Sequence, residues 1–334
     1  MLNNYTNVKI LSSEALPGFF ALVADRYDLR LPVISTGGNR VLGAFEDGEV
    51  ALVGGALLAK PTTIFFPQAG EMFTVGSENP HPSGLAAKQL LVVGFTPRDL
   101  LCLAFIDRFF ADGLRDDLYY RMRAGAVIAA VSGFTGIDGC FVPVSGGGCD
   151  LEFVFDGTAW LVIPYSQEGR SIAALISSAA PADALAVVTK KSAEFINKDA
   201  AIILAASELL LQDLVPDSFW EEIAAACILC TGCNLVCPTC TCFGMQDWRY
   251  SDRTERSRMW DSCQLDGFMR EAGGHNPLGT EALRTRRRIH HKLAADRTKW
   301  GEISCFLCGR CDVACPTGIG IVAVAAKLVE RFGP

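Results

Sequence analysis

Eleven of the fourteen cysteines fall within the 89 residues from Cys227 to Cys315, and this clustering constrains the fold more than any other feature. From Cys227 the sequence reads Cys-Ile-Leu-Cys-Thr-Gly-Cys-Asn-Leu-Val-Cys-Pro. From Cys305 it reads Cys-Phe-Leu-Cys-Gly-Arg-Cys-Asp-Val-Ala-Cys-Pro. Both segments have the pattern C-x2-C-x2-C-x3-C-P, so the chain carries two copies of one thiol-rich loop.

This spacing is typical of [4Fe–4S] ligand loops. Three thiolates reach three corners of one cube from a single tight turn, the fourth cysteine ligates the neighbouring cluster, and the proline redirects the chain. The pattern therefore predicts two clusters with crossed ligation, and Gly232 and Gly309 bring backbone N–H groups towards sulfur. One ligand set is Cys227, Cys230, Cys233 and Cys315, and the other is Cys305, Cys308, Cys311 and Cys237.

A pair of structural zinc sites in a scaffold protein is the competing interpretation. Zinc sites usually combine two spaced cysteine pairs into one tetrahedron, whereas this chain repeats four cysteines followed by proline. The spacing favours iron–sulfur clusters.

The long segment between Cys237 and Cys305 contains further candidate ligands. These are Cys240, Cys242, Cys263 and His275, with Asp261 as a carboxylate alternative to the imidazole. Three thiols and one such group could hold a third cluster. They could equally be reduced cysteines that pack as small apolar residues, and both interpretations stay open.

Charge and hydropathy exclude several classes of function. Residues 1–242 hold 15 Lys and Arg against 26 Asp and Glu, and residues 243–334 hold 15 against 11. This balance argues against nucleic acid as the main partner. The N-terminus lacks a secretory pattern and the apolar runs are too short to span a bilayer. We therefore expect a cytoplasmic protein without direct membrane insertion.

The order of predicted elements indicates an α/β N-terminal domain, a mixed sheet flanked by helices, over residues 1–215. A mainly helical ferredoxin-type domain with two [4Fe–4S] clusters is expected over residues 216–334. The predicted strands are Val8–Leu11, Ala51–Leu58, Thr63–Phe66, Gln89–Phe95, Ala126–Val131, Leu151–Phe155 and Ala159–Pro164. The predicted helices are Pro97–Ala111, Ser171–Ile176, Pro181–Val188, Ala200–Leu211 and Thr280–Trp300, with a linker at Asp213–Trp220.

Two other groups of residues have plainer interpretations. Cys102, Cys140 and Cys149 show no ligand-like spacing and are expected to be core or loop thiols. The basic stretch Arg284–Lys292 is expected to be a solvated helix face or a docking face for an acidic partner.

Several segments of the tail form a recognisable combination: Cys237–Cys242, Trp260–Cys263, Ala272–His275, Arg284–Lys292 and Cys308–Cys311. On these residues the chain resembles the family of 4Fe–4S dicluster subunits found in anaerobic sulfite reductase and, as the beta subunit, in sulfhydrogenase, a nickel–iron hydrogenase. The first half is similar more loosely, through Lys60-Pro61, Phe66–Gln68, Glu71–Phe73, Val92–Asp99 and Ile106–Arg108.

The resemblance implies an electron-transfer subunit of a multisubunit oxidoreductase in anaerobic metabolism. Its partners would be a flavin subunit that meets NAD(P)H and a catalytic redox subunit, with residues 1–215 serving in docking. No G-x-G-x-x-G follows a strand, so no nicotinamide or flavin site is visible in this chain. We therefore expect a subunit that is not catalytic on its own. The alternative is a catalytic iron–sulfur site near Cys240, Cys242 and Cys263.

Overall fold

The computed structural model describes residues 7–54, 57–76 and 88–333. These residues form two compact units. The described part of unit 1 comprises residues 7–54, 57–65 and 88–196, and that of unit 2 comprises residues 66–76 and 197–333. The predicted division at residue 215 stays a prediction.

Strands and helices occur in both units. The strands are β1 Lys9–Ser12, β2 Tyr27–Ile34, β3 Arg40–Ala44, β4 Glu49–Val50, β5 Ala69–Gly76, β6 Gln89–Phe95, β7 Val127–Ser132, β8 Leu151–Phe155, β9 Ala159–Pro164, β10 Phe243–Arg249 and β11 Arg253–Trp260. The α-helices are α1 Leu16–Ala24, α2 Pro97–Ala111, α3 Asp117–Arg123, α4 Gln167–Ala173, α5 Ala186–Glu194, α6 Asp199–Leu211, α7 Asp217–Ala225, α8 Gly232–Leu235, α9 Glu281–His290, α10 Asp296–Trp300, α11 Arg310–Val313 and α12 Ile321–Phe332.

Unit 1 is built on a mixed eight-stranded sheet. Its order is β1-β9-β8-β7-β6-β2-β3, and β4 pairs with β2. The pairs β2–β6, β6–β7 and β7–β8 are parallel, whereas the β1–β9, β8–β9, β2–β3 and β2–β4 pairs are antiparallel. The predicted mixed sheet with flanking helices is thus confirmed for the N-terminal region.

The central strands are apolar because both faces of this sheet are covered. All six residues of β7 are buried, as expected of a parallel strand between two layers. On one face, side chains of β2, β6, β7, β8 and β9 pack with α1 and α4. On the other, side chains of β8 and β9 pack with α5.

Helix α2 shows how the sequence sets an element boundary. Thr96 and Asp99 form a reciprocal capping box, in which the Asp99 N–H donates to Thr96 Oγ1 and the Thr96 N–H donates to an Asp99 carboxylate oxygen. Pro97 fixes the first helical residue. The prediction of Pro97–Ala111 is confirmed to the residue.

Two predicted strands are wrong in the described residues. Thr63 and Ile64 belong instead to a short 3₁₀ turn at Pro61–Ile64, where Pro61 favours helical geometry, and Phe65 and Phe66 follow in a turn and a bend. The described part of Ala51–Leu58 forms bends rather than a strand. Strands β2 and β5 were missed, since the proline in β2 and the polar residues in β5 weaken their alternation.

The C-terminal part is not mainly helical, which corrects that expectation. Strands β10 and β11 form an antiparallel hairpin, and β5 joins β11 to complete a three-stranded sheet within unit 2. Long loops carry most of the cysteines. The hairpin was not predicted because its charged residues give its strands a weak strand propensity. In the structure, tertiary pairing with β5 overrides that propensity.

The helices of unit 2 surround one apolar core. Residues of α6, α7, α9 and α12 contribute its buried side chains. The predicted charged helix is confirmed over Glu281–Trp300, and it includes one π-helical turn at His291–Ala295 between α9 and α10. The expected linker holds only to Pro216, because α7 begins at Asp217. Within the described ranges, no helix has the length and apolarity needed to cross a membrane.

Candidate iron–sulfur site

The two cysteine motifs adopt the same backbone conformation. Leu229 and Leu307 occupy equivalent positions and both have left-handed φ angles, 54° and 55°. Thr231 and Gly309 are also equivalent, at 59° and 76°. Each loop then enters a one-turn helix, α8 or α11, that carries the third cysteine. The sequence repeat is therefore a structural repeat.

Left-handed residues in these loops have a chemical consequence. A non-glycine residue in this region is strained, and it persists only where the surroundings enforce it. Such turns direct successive N–H groups towards one concave side, which suits an anion. The Ile319 N–H lies 3.3 Å from Cys315 Sγ, so the loop after the second motif also supplies a donor to sulfur.

One cavity is lined by four thiols from both motifs. Cys227, Cys230 and Cys233 come from the first motif, and Cys315 is the last cysteine of the second. The remaining walls include Thr285, Arg288 and several apolar side chains. The four cysteines are the first ligand set expected from the spacing, and their assignment as ligands stays a prediction.

The fold also places the second expected ligand set, Cys305, Cys308, Cys311 and Cys237, in one region. Burial raises the pKa of the Cys305 thiol to about 12, and Cys308 and Cys237 add to this shift through charge repulsion. Burial likewise raises the pKa of Cys311, with contributions from Cys237 and Cys305. Cys237 therefore lies near the second motif although it belongs to the first.

Lys292 supplies a buried positive charge to this second group. Its Nζ donates to Thr239 Oγ1 at 2.8 Å, and that hydroxyl lies 3.4 Å from Cys237 Sγ. Thr239 in turn donates to the Ser304 carbonyl at 2.8 Å. A hydrogen bond with Cys240, helped by Lys292 and Thr239, holds the pKa of Cys237 well below its usual range.

The π-helical turn determines where Lys292 lies. Its irregular backbone leaves the Leu293 carbonyl to accept from Ser207 Oγ at 2.5 Å, and Arg297 donates to the same hydroxyl at 2.9 Å. The Lys292 carbonyl accepts from the Ser304 N–H at 2.9 Å. Turns of this kind are often found at functional sites, where they change the direction of a side chain.

Arg288 and Thr285 test whether the cavity suits a cluster. Arg288 Nε and Thr285 Oγ1 are buried, and neither atom has a hydrogen-bond partner among the described residues. A buried donor without an acceptor costs about 1–3 kcal/mol, and a buried charge costs more. A thiolate-ligated iron–sulfur cluster is anionic and has sulfur acceptors. The donor set of this cavity therefore fits such a group.

The additional candidate ligands divide into two kinds. Cys242 and Cys263 are hydrogen-bonded to each other, and this bond with that from Asn234 Nδ2, 3.2 Å away, lowers the pKa of Cys263 to about 6. Cys240 interacts with Cys237 and Cys242. His275 is exposed in a turn, where its carbonyl accepts from the Glu271 N–H, and its side chain has no hydrogen bond in the described structure.

None of the three cysteines of unit 1 belongs to a cysteine loop of this kind. Cys102 is buried, and Cys140 and Cys149 are partly buried. Burial raises the pKa of Cys149 to about 12, the behaviour of a structural thiol. In the described residues, no three Cys, His, Asp or Glu side chains are arranged to hold a single metal ion.

The interpretation of Arg284–Lys292 as a solvated or docking face is wrong for three of its residues. Arg284, Arg288 and Lys292 are each only 6% exposed. The sequence did contain a signal, because these residues recur every four positions and therefore share one helix face. Thr239 and Thr285 carry no comparable signal.

The cysteine-rich region is similar to a known kind of domain, since residues 226–319 match the model of the 4Fe-4S dicluster domain. The chain is 26% identical over 339 aligned residues to sulfhydrogenase 2 subunit beta of Pyrococcus furiosus, covering 96% of this chain and 98% of that protein. No solved structure matches. The chain thus carries an iron–sulfur domain and resembles a sulfhydrogenase beta subunit.

Proposed function

We propose that this chain is an electron-transfer subunit of a hydrogenase-like oxidoreductase complex. It would relay electrons between a flavin subunit that meets NAD(P)H and a catalytic redox subunit of the hydrogenase or sulfite reductase type. The observation that carries the proposal is the pair of equivalent cysteine loops, with one cavity lined by thiols of both. The similarity to a sulfhydrogenase beta subunit over 96% of the chain supports it.

The residues of the chain would perform four tasks in this relay. The thiols of the two motifs would ligate two [4Fe–4S] clusters, and the left-handed turns would direct N–H donors towards their sulfur atoms. Arg288 and Lys292 would balance the negative charge of the ligands. Apolar side chains around α9 and α12 would limit access of water. When bound, the clusters would supply one-electron oxidation and reduction.

Residues 1–215 would serve mainly in docking to partner subunits. Unit 1 shows neither a cysteine loop like those of the motifs nor a glycine-rich nucleotide loop after a described strand. This assignment is tested by mixing the purified chain with the flavin subunit of the same complex. A chain truncated before Asp199 retains the described part of unit 1 together with β5 of unit 2, and it should still bind that partner.

The central experiment is anaerobic purification with iron, sulfide and zinc analysis. We expect about eight irons per chain and broad absorbance near roughly 400 nm; about twelve irons would indicate a third cluster. The purified chain should not oxidise NAD(P)H until the flavin subunit is added. Stoichiometric zinc without iron would contradict the proposal, as would NAD(P)H oxidation by the chain alone.

One variant distinguishes the electron relay from the alternative of a catalytic site near Cys240, Cys242 and Cys263. Cys263→Ala removes the thiol that pairs with Cys242. Full turnover of the complex with this variant, together with a changed EPR spectrum, would exclude a catalytic role. Loss of turnover with both motif clusters intact would favour the alternative over the relay.

A further inference from the structure

Arg288 is an unusual arginine for its helix. Arg284 is paired with Asp266 and the Leu278 carbonyl, and Arg286 with Asp213 and Asp217. Arg288 is only 6% exposed, yet it has no ion pair or hydrogen bond among the described residues. A guanidinium in such a place requires an anion.

The anion that Arg288 faces is a set of thiols. Arg288 lines the cavity formed by Cys227, Cys230, Cys233 and Cys315. The thiols of Cys311, Cys233, Cys240 and Cys237 act electrostatically on its guanidinium. Cys233 belongs to the first ligand set, whereas Cys237 and Cys311 belong to the second. One positive charge is therefore shared by both expected ligand sets.

Thr285 provides an independent second donor. It precedes Arg288 by three residues on α9, so both side chains project from one face of the helix. It lines the same cavity and is 5% exposed, and its hydroxyl has no partner among the described residues. Two unpaired donors on one helix face, directed into one thiol-lined cavity, indicate a common acceptor.

Asp312 is a carboxylate that interacts electrostatically with Arg288, but its oxygens accept hydrogen bonds from other groups. Asp312 Oδ1 accepts from the Val322 N–H at 3.0 Å and from the Ala323 N–H at 3.4 Å, at the start of α12. The charge of Arg288 attracts this carboxylate, yet no hydrogen bond or close ion pair joins the two side chains among the described residues. The Arg288 guanidinium can therefore donate hydrogen bonds to a group bound in the cavity.

We propose that Arg288 and Thr285 donate hydrogen bonds to the cluster held by Cys227, Cys230, Cys233 and Cys315 and thereby set its reduction potential. The charge of Arg288 also acts on the second cluster. This inference rests on the proposed iron–sulfur function and adds a mechanism for setting the reduction potentials. A nearby positive charge and N–H or O–H donors to sulfur stabilise the more negative reduced state, so both residues raise the potential.

The experiment compares three variants of the full chain loaded with clusters. Arg288→Met removes the charge at similar volume, and Thr285→Val removes only the hydroxyl. Arg287→Met is the matched control, since it removes a neighbouring charge of the same helix whose residue does not line the cavity. Redox titration followed by EPR measures the midpoint potential of each cluster.

We expect Arg288→Met to shift the equilibrium towards the oxidised state at least tenfold for the first-set cluster, which is about 59 mV for a one-electron couple. Thr285→Val should give a smaller shift of that cluster alone. Arg287→Met should leave both potentials near those of the unaltered chain. Equal potentials in Arg288→Met and Arg287→Met would overturn the inference while leaving the relay intact.

If the Arg288→Met variant does not incorporate clusters, a second measurement on the unaltered chain tests the inference. The unaltered chain, labelled with ¹⁵N-arginine and reduced, should show ¹⁵N hyperfine coupling to the first-set cluster. Arg287→Met should retain that coupling. Its absence from the unaltered chain would overturn the inference. Absence of iron from the unaltered chain would instead contradict the proposed function itself.

Discussion

Arg288 and Lys292 occupy helix positions that are normally given to apolar side chains. Both are 6% exposed, and both have raised pKa values because thiols around them oppose the cost of burial. Buried thiols on their own prefer the neutral form, as the raised pKa values of Cys305 and Cys311 indicate. The cations are therefore the complement that an anionic, thiolate-ligated group needs.

Crossed ligation gives a prediction at the scale of one residue. Cys315→Ala should alter the cluster of the first motif, because Cys315 lines the cavity formed by Cys227, Cys230 and Cys233. Its EPR spectrum should match that of Cys230→Ala rather than that of Cys308→Ala. Cys140→Ala, in unit 1, should leave the spectrum unchanged. A match between Cys315→Ala and Cys308→Ala would mean that each motif holds its own cluster.

At the scale of elements, the two ligand loops share a backbone but not a sequence. The left-handed position after the second cysteine is Thr231 in one loop and Gly309 in the other. Glycine adopts this conformation freely, whereas a side chain there costs about 1–2 kcal/mol. The second loop is accordingly the less strained of the two at this position.

This difference predicts opposite outcomes for two substitutions. Gly309→Thr should speed the loss of absorbance under a chelator by roughly five- to thirtyfold, since about 1–2 kcal/mol of strain enters the loaded loop. Thr231→Gly should lose its clusters no faster than the unaltered chain. Gly267→Thr is the control, because a Cβ there meets nothing within 4 Å and its φ is not left-handed. Equal rates for Gly309→Thr and Gly267→Thr would contradict the argument.

At the scale of the whole molecule, the expected cofactor ligands belong to one unit only. The apolar core of unit 2 includes Cys311, with Cys233, Cys305 and Leu307 packed against it. The two apolar cores described for unit 1 contain no residue of either motif. Ligation should therefore contribute to the folding free energy of unit 2 and leave the sheet of unit 1 unaffected.

Iron removal tests this separation. After anaerobic treatment with a chelator, amide hydrogen exchange in residues 227–237, 305–315 and α12 should accelerate roughly tenfold or more, because ligand loops lose their fixed ends. Peptides from β7 and β8 provide the internal control and should exchange as before. Uniform acceleration across both units would show that the clusters stabilise the chain as a whole.

Local patterns in the chain were enough to predict an iron–sulfur domain and much of the sheet. Ligand spacing is local, so the two motifs could be recognised without tertiary information, whereas the assignment of their cysteines to two clusters stays a prediction. Continuous apolar strands such as β6 and β8, and the capped helix α2, were also predicted to the residue. Each depends on neighbours in the chain, which the sequence displays directly.

The surroundings of the thiols depend on tertiary contacts instead. The hairpin β10–β11 pairs with β5 across more than 160 residues, and such pairing overrides local propensity. Burial of Arg288 and Lys292 could not be derived from composition, because a charged helix face is usually solvated. Their helix is buried against a core whose other helices come from distant segments, and this places two cations beside the expected cluster ligands.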